Sequence, residues 1–237
     1  FTCHGSDVYA RPQDLALKCA MADAVVVVAP TLGHDLIQHC LPAKVATIAC
    51  GVDSDYFQPV AEQSNRHMRW LFVGRLVDCK GVTDLIKAWG MMPDYMRPPL
   101  DIVGDGPLLT LLQQLVSQYG LHAHVHFLGA QSSKWLAEHG PQYHAFIGPF
   151  REGNDGARDT SPIVLKEAMA MGLPIVTTRF IDIPYLVGNA AILVPPAEPG
   201  ALVSAVGHLT RMPSVALHAM GQAGRDRVIA QFTLHDQ

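Results

Sequence analysis

The chain has 237 residues, of which 49% are hydrophobic and 16% charged, with a mean hydropathy of +0.17. That apolar content fills a sizeable core and excludes a disordered or polyelectrolyte chain, while the length fits one large domain or two modest ones. Seventeen Lys and Arg against 21 Asp and Glu leave a net charge of −4 with no dense basic run, which excludes a nucleic-acid partner held by phosphate neutralisation.

Phe1 opens directly into a strand or its exit, so the start of the polypeptide is expected upstream of it. The greasiest stretch, Leu15 to Pro30, is broken by Lys18 and Asp23 and falls short of the ~20 apolar residues of a membrane span. Ala24 to Ala29 reads as a buried strand, Thr31 to Cys40 as a helix and Val45 to Ala49 as another strand. Gly51 to Asn65 is rich in Gly, Pro, Asp, Ser and Gln without periodicity, and is expected to be a linker. Then the rhythm restarts. Strands are predicted at Trp70–Val73, Leu100–Val103, Val125–Leu128, Ala145–Gly148, Ile175–Thr178 and Ile192–Val194. Helices are predicted at Val82–Trp89, Leu108–Tyr119, Pro162–Ala170 and about Gly200–Leu209. Short buried strands alternating with helices point to a parallel α/β sheet covered on both faces. The expected division is residues 1–60, the end of one domain and a crossing, and 61–237, a nearly complete second domain. Cys3, Cys19, Cys40, Cys50 and Cys79 are odd in number and widely spaced, and read as the reduced thiols of a cytoplasmic protein.

Ligands of such sheets sit where strands run into helices, so the loops there carry the chemistry. In Gly74-Arg75-Leu76-Val77-Asp78-Cys79-Lys80-Gly81, Gly74 permits a sharp turn, and Arg75 and Lys80 place two cations near a helix start. That suits a diphosphate, although two solvated surface charges would look the same. Gly104-Asp105-Gly106-Pro107 reads as a structural tight turn with Asp105 capping; it is not a G-x-G-x-x-G fingerprint, which weakens a nicotinamide or flavin reading. The long loop Gly148 to Pro162 feeds an apolar helix, with Asp159 before it and Glu167 about two turns inside. Backbone amides at Thr160 and Ser161 favour an anion there, whereas Glu167 beside Lys166 could equally be a solvated helix-face charge. Asp53-Ser54-Asp55 is a D-x-D string, and His122, His124 and His126 alternate. No metal is assigned to either, and the histidines are expected on a solvated face.

Taken together, residues 66 to 237 resemble the carboxyl-terminal domain of the retaining, GT-B type glycosyltransferases of family 4. The matching strings are Val73-Gly74-Arg75 with Lys80-Gly81, Val103 to Pro107, Val125 to Gly129, Asp159 to Val176, Ile183-Pro184 and Leu193 to Pro196. Upstream, His4-Gly5, Ala22-Asp23-Ala24, Gly51-Val52-Asp53 and Phe57-Gln58-Pro59 resemble the end of the family's first domain and its crossing to the second. The resemblance implies a GT-B fold of two Rossmann-like units, the first one truncated. It implies that Arg75 and Lys80, at the turn of Gly74, hold the diphosphate of a nucleotide-sugar donor, and that Glu167 accepts the ribose hydroxyls. Asp159 would contact the transferred sugar beside the amides of Thr160 and Ser161; the family usually has glutamate there, one methylene longer. Leu128-Gly129-Ala130 would lie along the nucleobase, and His4 would face the donor sugar across the cleft, unless it is an ordinary exposed histidine. The implied function is transfer of a sugar from a UDP- or GDP-sugar to a saccharide or lipid-linked saccharide, with anomeric retention, in bacterial exopolysaccharide or lipopolysaccharide synthesis. No cofactor beyond the nucleotide-sugar co-substrate is expected. Peripheral contact with the inner membrane face would come through the absent first-domain half, and this piece alone is expected to bind nucleotide diphosphate without transferring sugar. The rivals are a non-catalytic nucleotide-sugar-binding or scaffold relative and a Rossmann-type oxidoreductase.

Overall fold

A computed structural model describes residues 1–10, 14–39, 44–60 and 67–234. Two parallel sheets follow one another along the chain. The first has three strands, β1 (Thr2–Cys3), β2 (Val25–Val27) and β3 (Val45–Thr47), in that order, with α1 (Leu15–Met21) and α2 (Pro30–His39) between them. Its core is small: Cys3, Val8, Leu15, Val25, Val27, Leu32 and Leu36 are buried together.

The second sheet has six parallel strands in the order β6-β5-β4-β7-β8-β9. They are β4 (His67–Val73), β5 (Leu100–Val103), β6 (Val125–Gly129), β7 (Tyr143–Gly148), β8 (Ile175–Thr178) and β9 (Ile192–Val194). Every residue of β5, β7 and β8 is buried, as expected of strands with helices on both sides. Alternation along β4 splits the core. Trp70 and Phe72 face one side with α3 (Val82–Met91), α4 (Leu109–Gln118) and α8 (Pro199–Thr210), where Trp70 meets Trp89 edge to face at 6.2 Å. Leu71 faces the other side with α6 (Ile163–Ala170), α7 (Ile183–Val187) and α9 (Ser214–Gln231). All strands and helices predicted from the pattern are present within a few residues. No helix among the described residues is long and apolar enough to cross a membrane.

Among the described residues, four α-helices escaped the pattern: the five-residue α7 and three others. In the stretch beginning at Leu15, α1 occupies the first turns and the strand takes only the end. The short α5 (Ser133–His139) is started by Ser132, whose hydroxyl accepts from the Trp135 N–H at 3.1 Å. The long α9 buries Gly221, Gly224 and Val228 rather than an apolar stripe. It packs by close backbone approach: a Cβ on Gly221 would lie 2.1 Å from the Gly172 carbonyl oxygen.

Where a linker was expected, the described residues 51–60 are strapped down; positions 61–65, the 60/61 boundary and Cys40 lie outside the described residues. Val52 and Phe57 are buried in the second sheet's core, because apolar side chains in a crossing find the nearest apolar wall. The Val52 N–H donates to the Phe232 carbonyl at 2.8 Å, and the Arg225 guanidinium donates to the carbonyls of Ser54 and Phe57 at 3.3 and 3.1 Å. Asp53 uses its carboxylate to accept from the N–H groups of Asp55 and Tyr56, which makes this D-x-D string a turn. The histidines also depart from a common solvated face. His122 is exposed, but His124 lies 3.0 Å from Asp94 and His126 lies 3.2 Å from Asp101, carboxylates that only the fold brings alongside.

Candidate functional site

The strand order reverses between β4 and β7, and in open parallel sheets such a switch point is where ligands bind, beyond the carboxyl ends of the strands. The β4 loop is residues 74–81 and the β7 loop residues 149–162. They touch along their backbones. The Arg151 N–H donates to the Cys79 carbonyl at 3.1 Å, and the Asn154 N–H to the Asp78 carboxylate at 2.7 Å. Arg151 also bridges Asp78 and Asp84, with its Nε 3.3 Å from the Asp84 carboxylate. Burial pushes the Asp84 carboxyl up and the Arg151 cation pulls it back. Arg151, Asp78 and Asp84 carried no site signal in the sequence; only the pairing of two loops far apart in the chain gives them a job.

On this base Lys80 and Asp159 meet as an ion pair, each about one-fifth exposed, at 18% and 21%. Asp78 to Lys80 form a 3₁₀ turn that Gly81 ends in the left-handed conformation, which turns Lys80 back over its own loop. Its stem passes the Gly74 backbone, and its ammonium lies 5.2 Å from the centroid of the Phe150 ring. Arg75 is on the same loop and exposed. The Gly74 N–H donates to the Val103 carbonyl at 3.0 Å and the Gly104 N–H to the Gly129 carbonyl at 2.8 Å, so Gly74, Gly104 and Gly129 share one edge of the sheet. Gly129 and Ala130 are exposed there. Asp105 does not cap the following helix: its carboxylate accepts from the Gly106 N–H at 2.7 Å, while Leu108 is the N-cap of α4 and caps it with no side chain.

Thr160 is buried and Ser161 half-buried at the entry to α6. Glu167 is half-buried on that helix, and burial pushes its carboxyl up. Lys166 is not its surface companion: it has 0% exposure and bonds elsewhere, because the helix turns adjacent residues about 100° apart. The first sheet closes on the same loop. A Cβ on Gly5 would lie 2.9 Å from the Arg158 carbonyl and 3.6 Å from the Thr160 hydroxyl, and Arg158 stacks 4.8 Å over the Tyr9 ring. His4, next to Gly5, is exposed beside this contact, its N–H bonded to Asp7 at 2.9 Å. The structure therefore joins Lys80 with Asp159 directly and brings the His4–Gly5 exit against the Arg158–Thr160 segment. Among the described residues the Arg75 side chain makes no hydrogen bond or ion pair.

Known proteins resemble this chain in sequence and fold. The family model described as glycosyl transferases group 1 matches residues 67–212. A colanic acid biosynthesis glycosyltransferase of Salmonella typhimurium is 29% identical over 202 residues, covering 81% of this chain and 48% of that protein. A GDP-mannose-dependent phosphatidylinositol monomannoside mannosyltransferase of Mycolicibacterium smegmatis is 34% identical over 191 residues, covering 74% and 49%. The chain spans about half the length of these relatives. Among solved structures, a sucrose-phosphate synthase of Thermosynechococcus elongatus superposes with a TM-score of 0.80 at 25% identity, covering 94% of this chain and 58% of that one. The Anabaena protein HepE, solved in complex with UDP, shares the fold with a TM-score of 0.82 at 18% identity, covering 98% and 68%. The two Rossmann-like parallel sheets are thus of the GT-B type. With more than half its length matched by that family model, the chain belongs to the glycosyl transferases group 1 family.

Proposed function

We propose that this chain carries the donor-binding half of a retaining glycosyltransferase of family 4, which takes a hexosyl group from a UDP- or GDP-sugar. The acceptor is a saccharide or lipid-linked saccharide of bacterial exopolysaccharide or lipopolysaccharide synthesis, reached from the cytoplasmic side. The observation that carries this reading is the meeting of Lys80 and Asp159 at the crevice where the strand order reverses. Breaking the anomeric C–O bond leaves positive charge on the sugar and negative charge on the diphosphate. Lys80, with Arg75 on the same loop, stabilises that diphosphate as it departs, and the amides of Thr160 and Ser161 lie beside the transferred sugar. The diphosphate takes Lys80 from Asp159 and frees the carboxylate for the sugar hydroxyls. Glu167 accepts the ribose hydroxyls, residues 128–130 flank the base, and the departing phosphate takes the proton of the acceptor. Calorimetric titration with UDP, GDP and ADP tests the reading: one of the three binds at a single site, and Lys80→Met abolishes that binding. Absence of binding by all three overturns it.

Glu167 gives a second test with a sign of its own. Its carboxyl ionises at a higher pH in the fold than in the unfolded chain. The folded state therefore holds the proton longer, and this stability is lost as pH rises from the ordinary glutamate value through the raised one. At pH 7 the buried charge is a cost retained for binding. Glu167→Gln is expected to raise the melting temperature at pH 7 by about 2–4 °C, with no gain at pH 4. The same variant weakens nucleotide binding about tenfold, the size of one lost charge-assisted hydrogen bond. A lower melting temperature at pH 7 would count against the buried-charge account.

A further inference from the structure

Lys166 has no exposed surface, although lysine is among the residues least often fully buried. Its Nζ donates to the Cys50 carbonyl at 2.6 Å and to the Ser161 hydroxyl at 3.0 Å, and it lies 5.2 Å from the centroid of the Phe232 ring. These partners come from three separate places: the crossing between the sheets, the turn that enters α6, and the residue that ends α9. Burial lowers the affinity of the amine for its proton, and Asp159 opposes that effect. An apolar side chain of similar volume would fill the space without the desolvation cost, so the amine has to be explained by what it joins.

Cys50 stands at a boundary within the crossing. Downstream, Val52 and Phe57 are buried and bonded. Upstream, Thr47, Ile48 and Ala49 border a cavity of about 200 Å³ whose far wall includes Tyr185, Gln231 and Phe232. Packing alone therefore does not fix the upstream part of the crossing. A second tie lies across the same gap, where the Thr31 N–H and hydroxyl both donate to the buried Asp182 carboxylate.

We propose that Lys166 is a positioning residue, holding the Thr160–Ser161 turn and the Cys50 carbonyl at one spacing and so setting the first sheet relative to the donor loop. The inference rests on the reading of that turn as part of the donor site. Moving the crossing away would strip a buried amine of one of its two acceptors, which makes the joined arrangement the favoured one. Lys80 and Glu167 are outside this tie while the Thr160–Ser161 turn is inside it, so transfer across the cleft depends on it far more than donor affinity does.

The test uses the full-length protein with Lys166→Met. Amide exchange is expected to quicken about tenfold or more in residues 47–50 and 160–165, with Ile102 and Phe146 in the sheet unchanged. Transfer kinetics are expected to lose about tenfold or more in kcat with donor KM within about threefold, a split that loss of structure alone would not produce. Lys166→Arg, which keeps N–H donors at the end of its stem, restores part of both. Unchanged exchange in residues 47–50 overturns the proposal, as does unchanged kcat. Quickened exchange in Lys166→Met, with a parent protein that binds no nucleotide diphosphate, would keep the tie and sink the donor-site reading instead. Should Lys166→Met fail to fold, Ser161→Ala removes one acceptor, and quickening confined to residues 160–165 is expected; no change there overturns the proposal.

Discussion

Lys80→Met is expected to lower the turnover of the full-length transferase by about 10²–10³, the usual consequence of removing a preorganised group that stabilises developing negative charge. The expectation follows from placement. Lys80 closes a 3₁₀ turn, its stem lies on Gly74, and its ammonium is held between Asp159 and the Phe150 ring. A cation fixed in this way needs little reorganisation when the diphosphate charge appears. Stability should respond more modestly: with about four-fifths of each side chain out of water, Lys80→Met leaves Asp159 part-buried without its cation, a cost of about 1–3 kcal/mol. Chemical denaturation of Lys80→Met is therefore expected to show a folded protein weakened by about that amount while turnover collapses. A variant that keeps parental turnover would reduce Lys80 and Asp159 to a surface ion pair.

Gly81→Ala is expected to have the largest effect on the fold. Gly81 has φ of 69°, where an L side chain is strained, and its Cβ would lie 1.8 Å from the Pro149 carbonyl oxygen and 2.8 Å from the Pro149 carbonyl carbon. Both obstacles are backbone, so no side chain can swing aside. The loops after β4 and β7 must separate, at a cost of about 3 kcal/mol or more in unfolding free energy. Gly156→Ala is the control. Its φ of 77° is just as unfavourable, but a Cβ there meets nothing within 4 Å, so it should cost only about 1 kcal/mol. The difference between the two midpoints in urea measures the contact between the loops. Because that contact also sets Lys80 against Asp159, Gly81→Ala should lose nucleotide diphosphate binding even under conditions where it remains folded. Equal costs for the two variants would mean that the loops are not held together at this point.

These expectations separate two kinds of importance at one crevice. Arg151, bridging Asp78 and the buried Asp84, builds the platform; Lys80 and Asp159 stand on it with water at one side. Glu167 shows the same division on a single residue: its half-buried carboxyl is expected to cost stability at pH 7, and in the proposed reading its value lies in what it binds.

The strands and helices of the second sheet, and the loops that matter between them, could be read along the chain because burial on both faces writes itself as apolar runs and helical spacing. Leu100–Val103, Ile175–Thr178 and Ile192–Val194 appear at the predicted residues for that reason. The long α9 could not be read, because Gly221 and Gly224 pack through missing side chains rather than an apolar stripe. Position in the loops likewise singled out Arg75, Lys80, Asp159 and Glu167, but left open whether Arg75, Lys80 and Glu167 were solvated charges. What only the tertiary structure decided was which groups meet: Lys80 with Asp159 across 79 positions, Arg151 with Asp78 across 73, and Lys166 with Cys50 across 116. Local pattern carries no record of such pairs. Whether a charge is solvated, bridged or buried is set by the segment packed against it, and in a sheet whose order reverses between β4 and β7 that segment is distant in sequence.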